Sequence, residues 1–368
     1  MNVEKGKICS MQLFFLFAGF VQGSVLLVDF AIGISESQTW MVILIGLGLA
    51  IPFVLSYVAL AKRFPGMNVV QINDAVYGRF LGKTLSLYYI FFFLMTLSFN
   101  IRDVGELYIT FLMPDTSFIF LLVAFSATCA YAVSKGLEVL ARISHLIALI
   151  GIFVPICTTI LLIDQMDFSN FLPLFELPFA RMLHGIHIMM AIPFCETLVF
   201  LMIMASLDKA EKAKKSILSG LLVGTVSLFI VAVRNTAVLG NTQTIWTSPS
   251  FQSTRLIDIG TVLTRMDFLI GIAQTFLIFF KCCLFLYASV TAIAQIFNLK
   301  TYIPLVLPVA GIEVILAATV FQSKVDHAEI SQNAGIIYSA PLMFLIPPLT
   351  LLIAKLRNLP NKGGKNDS

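Results

Sequence analysis

The chain has 368 residues, of which 58% are hydrophobic and only 12% are charged, and its formal net charge is +4 at pH 7. A water-soluble domain of this size carries far more charge on its surface, so the composition argues against a soluble enzyme and indicates a protein embedded in lipid. We therefore look for its function first among channels, carriers and membrane receptors.

Ten apolar segments follow one another along the chain, each near the roughly 20 residues that a helix needs to cross a bilayer. Numbered as spans 1 to 10, they cover residues 10–34, 40–61, 84–108, 117–134, 143–163, 183–206, 216–240, 267–296, 302–321 and 335–354. Most Lys and Arg residues flank the span ends that would be cytoplasmic if the N-terminus is cytoplasmic. An even number of spans then predicts that both termini are in the cytoplasm.

The sequence predicts one integral membrane domain over residues 1–358, followed by a disordered cytoplasmic tail at 359–368. A basic hinge at 207–216 separates a first half, 10–163, from a second half, 183–354. Each half has an odd number of spans, so the two halves would have opposite orientations in the membrane. The expected fold class is an all-α polytopic membrane protein with an inverted five-plus-five repeat, in which helices 1 and 6 are discontinuous.

Glycine and proline indicate where the two expected breaks lie. Span 1 contains the stretch GFVQG at 19–23, and span 6 contains PFCET at 193–197. Glycine lowers the cost of leaving helical geometry and proline removes a backbone donor, so main-chain groups freed there would face a ligand carboxylate or ammonium. In the alternative interpretation, the glycines only pack helices closely and the proline only kinks one.

Small, polar and aromatic residues on spans 3 and 8 complete a candidate pocket with the two breaks. The candidate ligand-binding residues are Gly19, Phe20, Val21, Gln22, Gly23, Leu94, Ser98, Pro193, Phe194, Cys195, Glu196, Thr197, Cys283 and Tyr287. Helix–helix packing is the alternative role for each of them.

Five short stretches, taken in their order and spacing, are similar to those of a known family. They are RDVGE at 102–106, FLMPDT at 111–116, KGLEVLAR at 135–142, NFLP at 170–173 and RMD at 265–267. With its ten spans, the chain resembles the B-subunit family of spore germinant receptors, in the amino acid–polyamine–organocation superfamily of carriers. The resemblance implies a carrier-like fold that recognises a small nutrient, often an amino acid, in the inner membrane of the dormant spore. It also implies a complex with a larger membrane A subunit and a lipoprotein C subunit.

Lys281 lies in the middle of span 8, where a cation is costly unless it is paired or hydrated. In the carrier fold implied by the resemblance, span 8 flanks the position where many relatives hold a sodium ion. We therefore hypothesise that the Lys281 ammonium substitutes for that cation and reaches toward the break in span 1. The alternatives are a structural ion pair with Glu196 or Glu313, or a side chain that extends to the membrane interface.

Other charged residues in the spans have simpler expected roles. Arg234 is expected to reach the outer interface, with a gating role as the alternative. Arg102 and Glu106, four residues apart at the end of span 3, are expected to form an ion network with Asp103 at the outer surface. An outer gate or a partner contact is the alternative for this cluster.

The sequence gives no indication of an enzyme, a cofactor or a metal site, because it has no phosphate-binding glycine loop, nucleophile elbow or suitably spaced set of metal ligands. The preferred function is the B subunit of a nutrient germinant receptor that helps to trigger spore germination. Two alternatives stay open. One is a proton-coupled amino acid permease in which Lys281 or Glu196 titrates, and the other is a ligand-gated ion-conducting subunit.

Overall fold

A computed structural model describes residues 6–208, 210–257, 266–321, 323, 326, 329–330 and 334–360 of the chain. Nearly all of these residues are helical. Most of the predicted tail, 361–368, and Arg265 of the RMD stretch lie outside the described residues.

The first half of the chain has seven helices. They are α1 (Ser10–Gln22), α2 (Val25–Ser35), α3 (Thr39–Arg63), α4 (Val69–Tyr77), α5 (Arg79–Leu107), α6 (Phe118–Ser134) and α7 (Leu137–Leu161). The helices described in the second half are α8 (Phe179–Met189), α9 (Phe200–Ile203), α10 (Ala213–Leu239), α11 (Pro249–Arg255), α12 (Met266–Ile296), α13 (Ile303–Thr319), α14 (Ala334–Ala340) and α15 (Ile346–Leu356). The described part of the chain also contains three π-helical turns, at Tyr108–Leu112, Met190–Phe194 and Pro341–Leu345.

Each predicted span coincides with helix in the described part of the chain. Within the described residues, seven helical stretches are long and apolar enough to cross a membrane, and three shorter apolar helices accompany them, Ser10–Gln22, Phe118–Ser134 and Ile303–Thr319. Large apolar side chains such as Phe153 and Leu307 are exposed on the outside of the bundle, as a surface facing lipid requires. The prediction of an all-helical, multi-pass membrane protein is confirmed.

Three spans are divided rather than continuous. Span 1 consists of α1 and α2, span 6 of α8, a non-α segment and α9, and span 10 of α14, a π turn and α15. The breaks in spans 1 and 6 were predicted from glycine and proline. The break in span 10 was not predicted.

The start of span 1 lies beside the end of span 6. The Ile8 N–H donates to the Ser206 carbonyl at 2.9 Å, and the Asp208 N–H donates to the Ile8 carbonyl at 3.1 Å. Because one span begins where the other ends, the two run in opposite directions through the bundle. This is the relation that inverted halves require.

Glycines on α10 let α1 approach closely. A Cβ atom at Gly220 would lie 2.6 Å from the Phe14 carbonyl oxygen, and one at Gly224 would lie 2.6 Å from the Val21 Cβ. Small residues at such crossings are the usual means by which membrane helices pack, since lipid supplies no hydrophobic force to drive helices together. Span 1 is therefore held firmly against the second half of the protein.

Arg234 is buried, with 2% of its surface exposed, so the prediction that it reaches the outer interface is wrong. Its guanidinium donates to Thr158 Oγ1 at 2.7 Å and to Asn235 Oδ1 at 2.9 Å. Asn235 in turn donates to Ser250 Oγ of α11 at 3.0 Å, and Ser250 donates to the Asp29 carboxylate at 2.8 Å. This network gives Arg234 polar partners inside the protein, so it has no need to extend to water.

Candidate functional site

The break in span 1 is a short turn at Gly23 and Ser24, at the end of the predicted stretch. Gly23 keeps right-handed helical angles, φ −61° and ψ −9°, so the chain changes course over only two residues. A Cβ atom at Gly23 would lie 2.8 Å from the Leu277 carbonyl oxygen and 3.0 Å from the Lys281 Cβ. A glycine is therefore required where span 1 meets α12.

The break in span 6 is longer. The turn Met190–Phe194 contains Ile192 in an extended conformation, φ −125° and ψ 118°, and a 3₁₀ segment, Cys195–Val199, follows it. Pro193 has no N–H with which to continue an α-helix. Helical geometry therefore fails in the middle of the span, where a lipid-facing backbone would leave its polar groups unsatisfied.

A single ammonium group contacts both breaks. Lys281 Nζ lies 2.7 Å from Glu196 Oε2, just after the break in span 6, and donates to Ser24 Oγ in the break of span 1 at 2.7 Å. Lys281 is 2% exposed and Glu196 1% exposed, so the two opposite charges neutralise each other away from water. Of the two glutamates considered for Lys281, the ion pair is made with Glu196.

A cavity lies beside this ion pair. Five spans line it, with the residues Gly23, Ser24, Leu26, Leu27, Phe30, Phe92, Thr96, Phe99, Asn100, Asp103, Ile192, Glu196, Ile278, Lys281, Gly335, Tyr338, Ser339 and Met343. The lining is mostly apolar and aromatic, with a few charged and polar groups, as is typical of small-molecule sites. The geometry suits one small amphiphilic ligand.

Three of the residues predicted from the sequence line this cavity, namely Gly23, Glu196 and Lys281. The others lie outside the lining, namely Gly19, Phe20, Val21, Gln22, Leu94, Ser98, Pro193, Phe194, Cys195, Thr197, Cys283 and Tyr287. Several of these pack between helices. Gly19 faces Phe280, Val21 faces Gly224, and the Tyr287 ring lies 5.6 Å from that of Tyr302.

Helix rotation explains most of these differences. On α5, Phe92, Thr96 and Phe99 share one helical face and line the cavity, whereas Leu94 and Ser98 point elsewhere. On α12, Ile278 and Lys281 face the cavity, but Cys283 does not.

Span 10 supplies four lining residues that sequence reasoning missed, namely Gly335, Tyr338, Ser339 and Met343. A usable signal was present, because prolines at 341, 347 and 348 fall in the middle of an apolar span. The same proline argument that indicated the break in span 6 would have indicated this one.

A second, smaller pocket shares Leu26, Phe30 and Asp103 with this cavity. Asp29, Glu106 and Ser248 are among its other lining residues. The predicted Arg102–Glu106 ion pair is present at 2.8 Å, but both side chains are less than a tenth exposed, so the pair is inside the bundle rather than on its outer surface.

Oppositely directed, interrupted helices around a central cavity define the architecture of secondary transporters. Two solved structures have this fold. The nucleobase-cation-symport-1 transporter Mhp1, closed with bromovinylhydantoin bound, matches at a TM-score of 0.70 and 13% identity, over 95% of this chain and 80% of that one. MhsT in complex with L-phenylalanine matches at a TM-score of 0.67 and 15% identity, over 94% of this chain and 98% of that one. The expected inverted fold with interrupted helices 1 and 6 is confirmed.

The chain belongs to the spore germination protein family, whose family model matches residues 7–327. Spore germination protein KB of Bacillus subtilis (strain 168) is 27% identical over 377 residues, covering 98% of this chain and 99% of that protein. Spore germination protein YndE of the same strain is 22% identical over 267 residues, covering 71% of this chain and 72% of that protein. The expected family membership is confirmed.

Proposed function

We propose that this chain is the nutrient-recognising B subunit of a spore germinant receptor and that its cavity binds a small nutrient, with an amino acid as the preferred class. The observation that carries the proposal is the Lys281 ammonium, which contacts Ser24 and Glu196 at the edge of a cavity bordered by three interrupted spans. The names of the relatives, all spore germination proteins, support the proposed process.

The charges around the cavity suit an amino acid. The start of α2, Ser24 and Lys281 offer hydrogen-bond donors and positive potential to a carboxylate. The carboxylates of Glu196 and Asp103 border the same cavity and offer acceptors to an ammonium group. Aromatic rings, such as those of Phe30 and Tyr338, provide an apolar surface for the ligand side chain.

In this proposal the Lys281 ammonium takes the place of a bound metal cation. It is fixed between Ser24 of span 1 and Glu196 of span 6, and a second cation there would meet its charge at close range in a region of low dielectric constant. Nutrient recognition therefore needs no sodium ion.

Signalling would follow from a shift between carrier-like conformations, because a ligand favours the conformation that it binds more tightly. The resemblance to the B-subunit family implies a membrane A subunit and a lipoprotein C subunit as partners that read out this shift. It also implies a location in the inner membrane of the spore, and the distribution of Lys and Arg favours cytoplasmic termini.

The test is a bulky substitution at the first break. Gly23→Leu should abolish nutrient-triggered germination while the subunit still accumulates, because even its Cβ would lie 2.8 Å from the Leu277 carbonyl oxygen and would push α12, with Lys281, away from the break. Gly33→Leu, also on span 1, is the matched control, since a Cβ there meets no atom within 4 Å. Normal germination with Gly23→Leu would contradict the proposed site.

A second candidate is an amino acid permease, which the likeness to two transporter structures favours. Purified chain in liposomes separates the two functions. Accumulation of a labelled amino acid without partner subunits would identify a permease, whereas binding without accumulation supports a sensor.

A further inference from the structure

Tyr57 on α3 is a buried tyrosine whose hydroxyl group meets two of the helix breaks. It is 1% exposed. The hydroxyl donates to the Met343 carbonyl in the turn of span 10 at 2.6 Å and lies 3.3 Å from the Cys195 carbonyl in span 6. A phenol has one proton, so it makes one strong hydrogen bond at a time, here with Met343.

The interruption of each span explains why these carbonyls are available. In a regular helix the Met343 carbonyl would accept from residue 347, which is Pro347 and has no N–H. Cys195 begins the 3₁₀ segment that follows the break in span 6, where helical hydrogen bonds have poorer geometry. The Tyr57 hydroxyl therefore donates to the Met343 carbonyl and has the Cys195 carbonyl as a second, more distant acceptor.

Both carbonyls are adjacent to the candidate site. Met343 lines the cavity, and Cys195 precedes Glu196, which lines the cavity and pairs with Lys281. A change in the hydrogen bonding of Tyr57 would therefore move the parts of span 6 and span 10 that line the cavity.

The part of span 10 beyond the turn is fastened to α3 and α4. Arg63 donates to the Ala354 carbonyl at 2.9 Å, and the Tyr77 hydroxyl is 2.9 Å from Thr350 Oγ1. α14, on the other side of the turn, lines the cavity through Gly335 and Tyr338. Movement of α14 relative to α15 would therefore occur at the turn that Tyr57 contacts.

We infer that Tyr57 is a positioning residue that sets the break in span 6 and the break in span 10 relative to each other, and thereby sets which ligand size the cavity accepts. This inference rests on the proposed function. Removing the hydroxyl leaves the Met343 carbonyl without this donor, so the turn relaxes and the cavity becomes more tolerant of large ligands.

The experiment compares spores that carry each variant in place of the native gene, with L-alanine and L-leucine as small and large probes. The readout is the ratio of the two half-maximal germination concentrations, because a merely structural defect lowers the response to both probes alike. Tyr57→Phe should shift this ratio at least fivefold in favour of L-leucine. Tyr77→Phe is the matched control, since its hydroxyl contacts span 10 away from the cavity, and its ratio should equal that of the native protein.

Pro347→Ala provides an independent variant in case Tyr57→Phe fails to accumulate. It keeps the phenol but gives the Met343 carbonyl an N–H partner of its own, so the same ratio should shift in the same direction. If native spores respond to the probes but the variants that accumulate show the native ratio of half-maximal concentrations, the role of Tyr57 is overturned and the proposed function is not. No response of native spores to either probe or to other amino acids would overturn the proposed ligand class and this inference with it.

Discussion

The ion pair between Lys281 and Glu196 gives the sharpest prediction. Glu196→Gln keeps the size of the side chain but removes the charge that lies 2.7 Å from a lysine with 2% exposure. Removing one partner of a buried ion pair costs about 3–5 kcal/mol in soluble proteins. Unfolded membrane helices also find polar partners, which lowers such costs, so we expect a loss of about 2–3 kcal/mol in the free energy of unfolding. The measurement is reversible unfolding of the purified chain in detergent micelles.

A double variant separates the stability of the pair from its role in recognition. Lys281→Met combined with Glu196→Gln leaves no unpaired charge, and neutral replacements of a buried pair are often tolerated. Its stability should return to within about 1 kcal/mol of the native value. The double variant should nevertheless fail to germinate in response to nutrient, because the ammonium that contacts Ser24 is gone. A double variant that responds to nutrient like the native protein would refute the recognition role of Lys281.

The chain also contains a matched control for the stability measurement. Arg181 and Glu36 form an ion pair with the same separation of 2.7 Å, but their side chains are 53% and 45% exposed. Exposed pairs contribute about 0–1 kcal/mol, so Glu36→Gln should have little effect. Equal losses for Glu36→Gln and Glu196→Gln would show that burial is not the reason for the cost.

Three further predictions concern other parts of the protein. Replacing sodium with choline in the germination buffer should leave the half-maximal nutrient concentration unchanged, and a sodium requirement would contradict the role proposed for Lys281. Asp29→Asn should weaken the bonds from Ser248 and Ser250 by about 1–2 kcal/mol and speed amide hydrogen exchange in α11, whereas unchanged exchange would show that Asp29 does not hold this helix. Gly224→Val should prevent accumulation of the chain in membranes, because a Cβ at this position already overlaps Val21, and normal accumulation on an immunoblot would contradict this packing.

The sequence was sufficient to predict the spans and two of their breaks. A bilayer imposes a minimum length and an apolar composition on each crossing, so the segments were visible in the amino-acid pattern. Gly23 and Pro193 marked the breaks in spans 1 and 6, since each residue has a backbone reason to interrupt a helix. The prolines of span 10 carried the same signal but were not used.

The orientation of side chains could not be predicted in the same way. Successive residues of an α-helix point about 100° apart, so an unknown rotation of α12 leaves open whether Lys281 or Cys283 faces the cavity. Spans that are apolar on all sides give no amphipathic pattern from which to read that rotation. Arg234 was misplaced for a related reason, because its partner Thr158 is brought to it only by the packing of α7 against α10, and the neighbouring Asn235 is held by Ser250 of α11.

The three breaks also show how polar groups are satisfied at membrane depth. The sequence suggested that freed main-chain groups would wait for a ligand, but in span 10 one of them already has a side-chain partner, and polar side chains at the other two breaks are bound by a buried lysine. Lys281 contacts Ser24 in span 1 and Glu196 in span 6, and Tyr57 donates to Met343 in span 10. Under the proposed function, a nutrient that bonds to Ser24, Glu196 or the Met343 carbonyl must therefore exchange with one of these contacts. Exchange of this kind changes the free energy by little, which suits a receptor that has to shift between two conformations of similar stability.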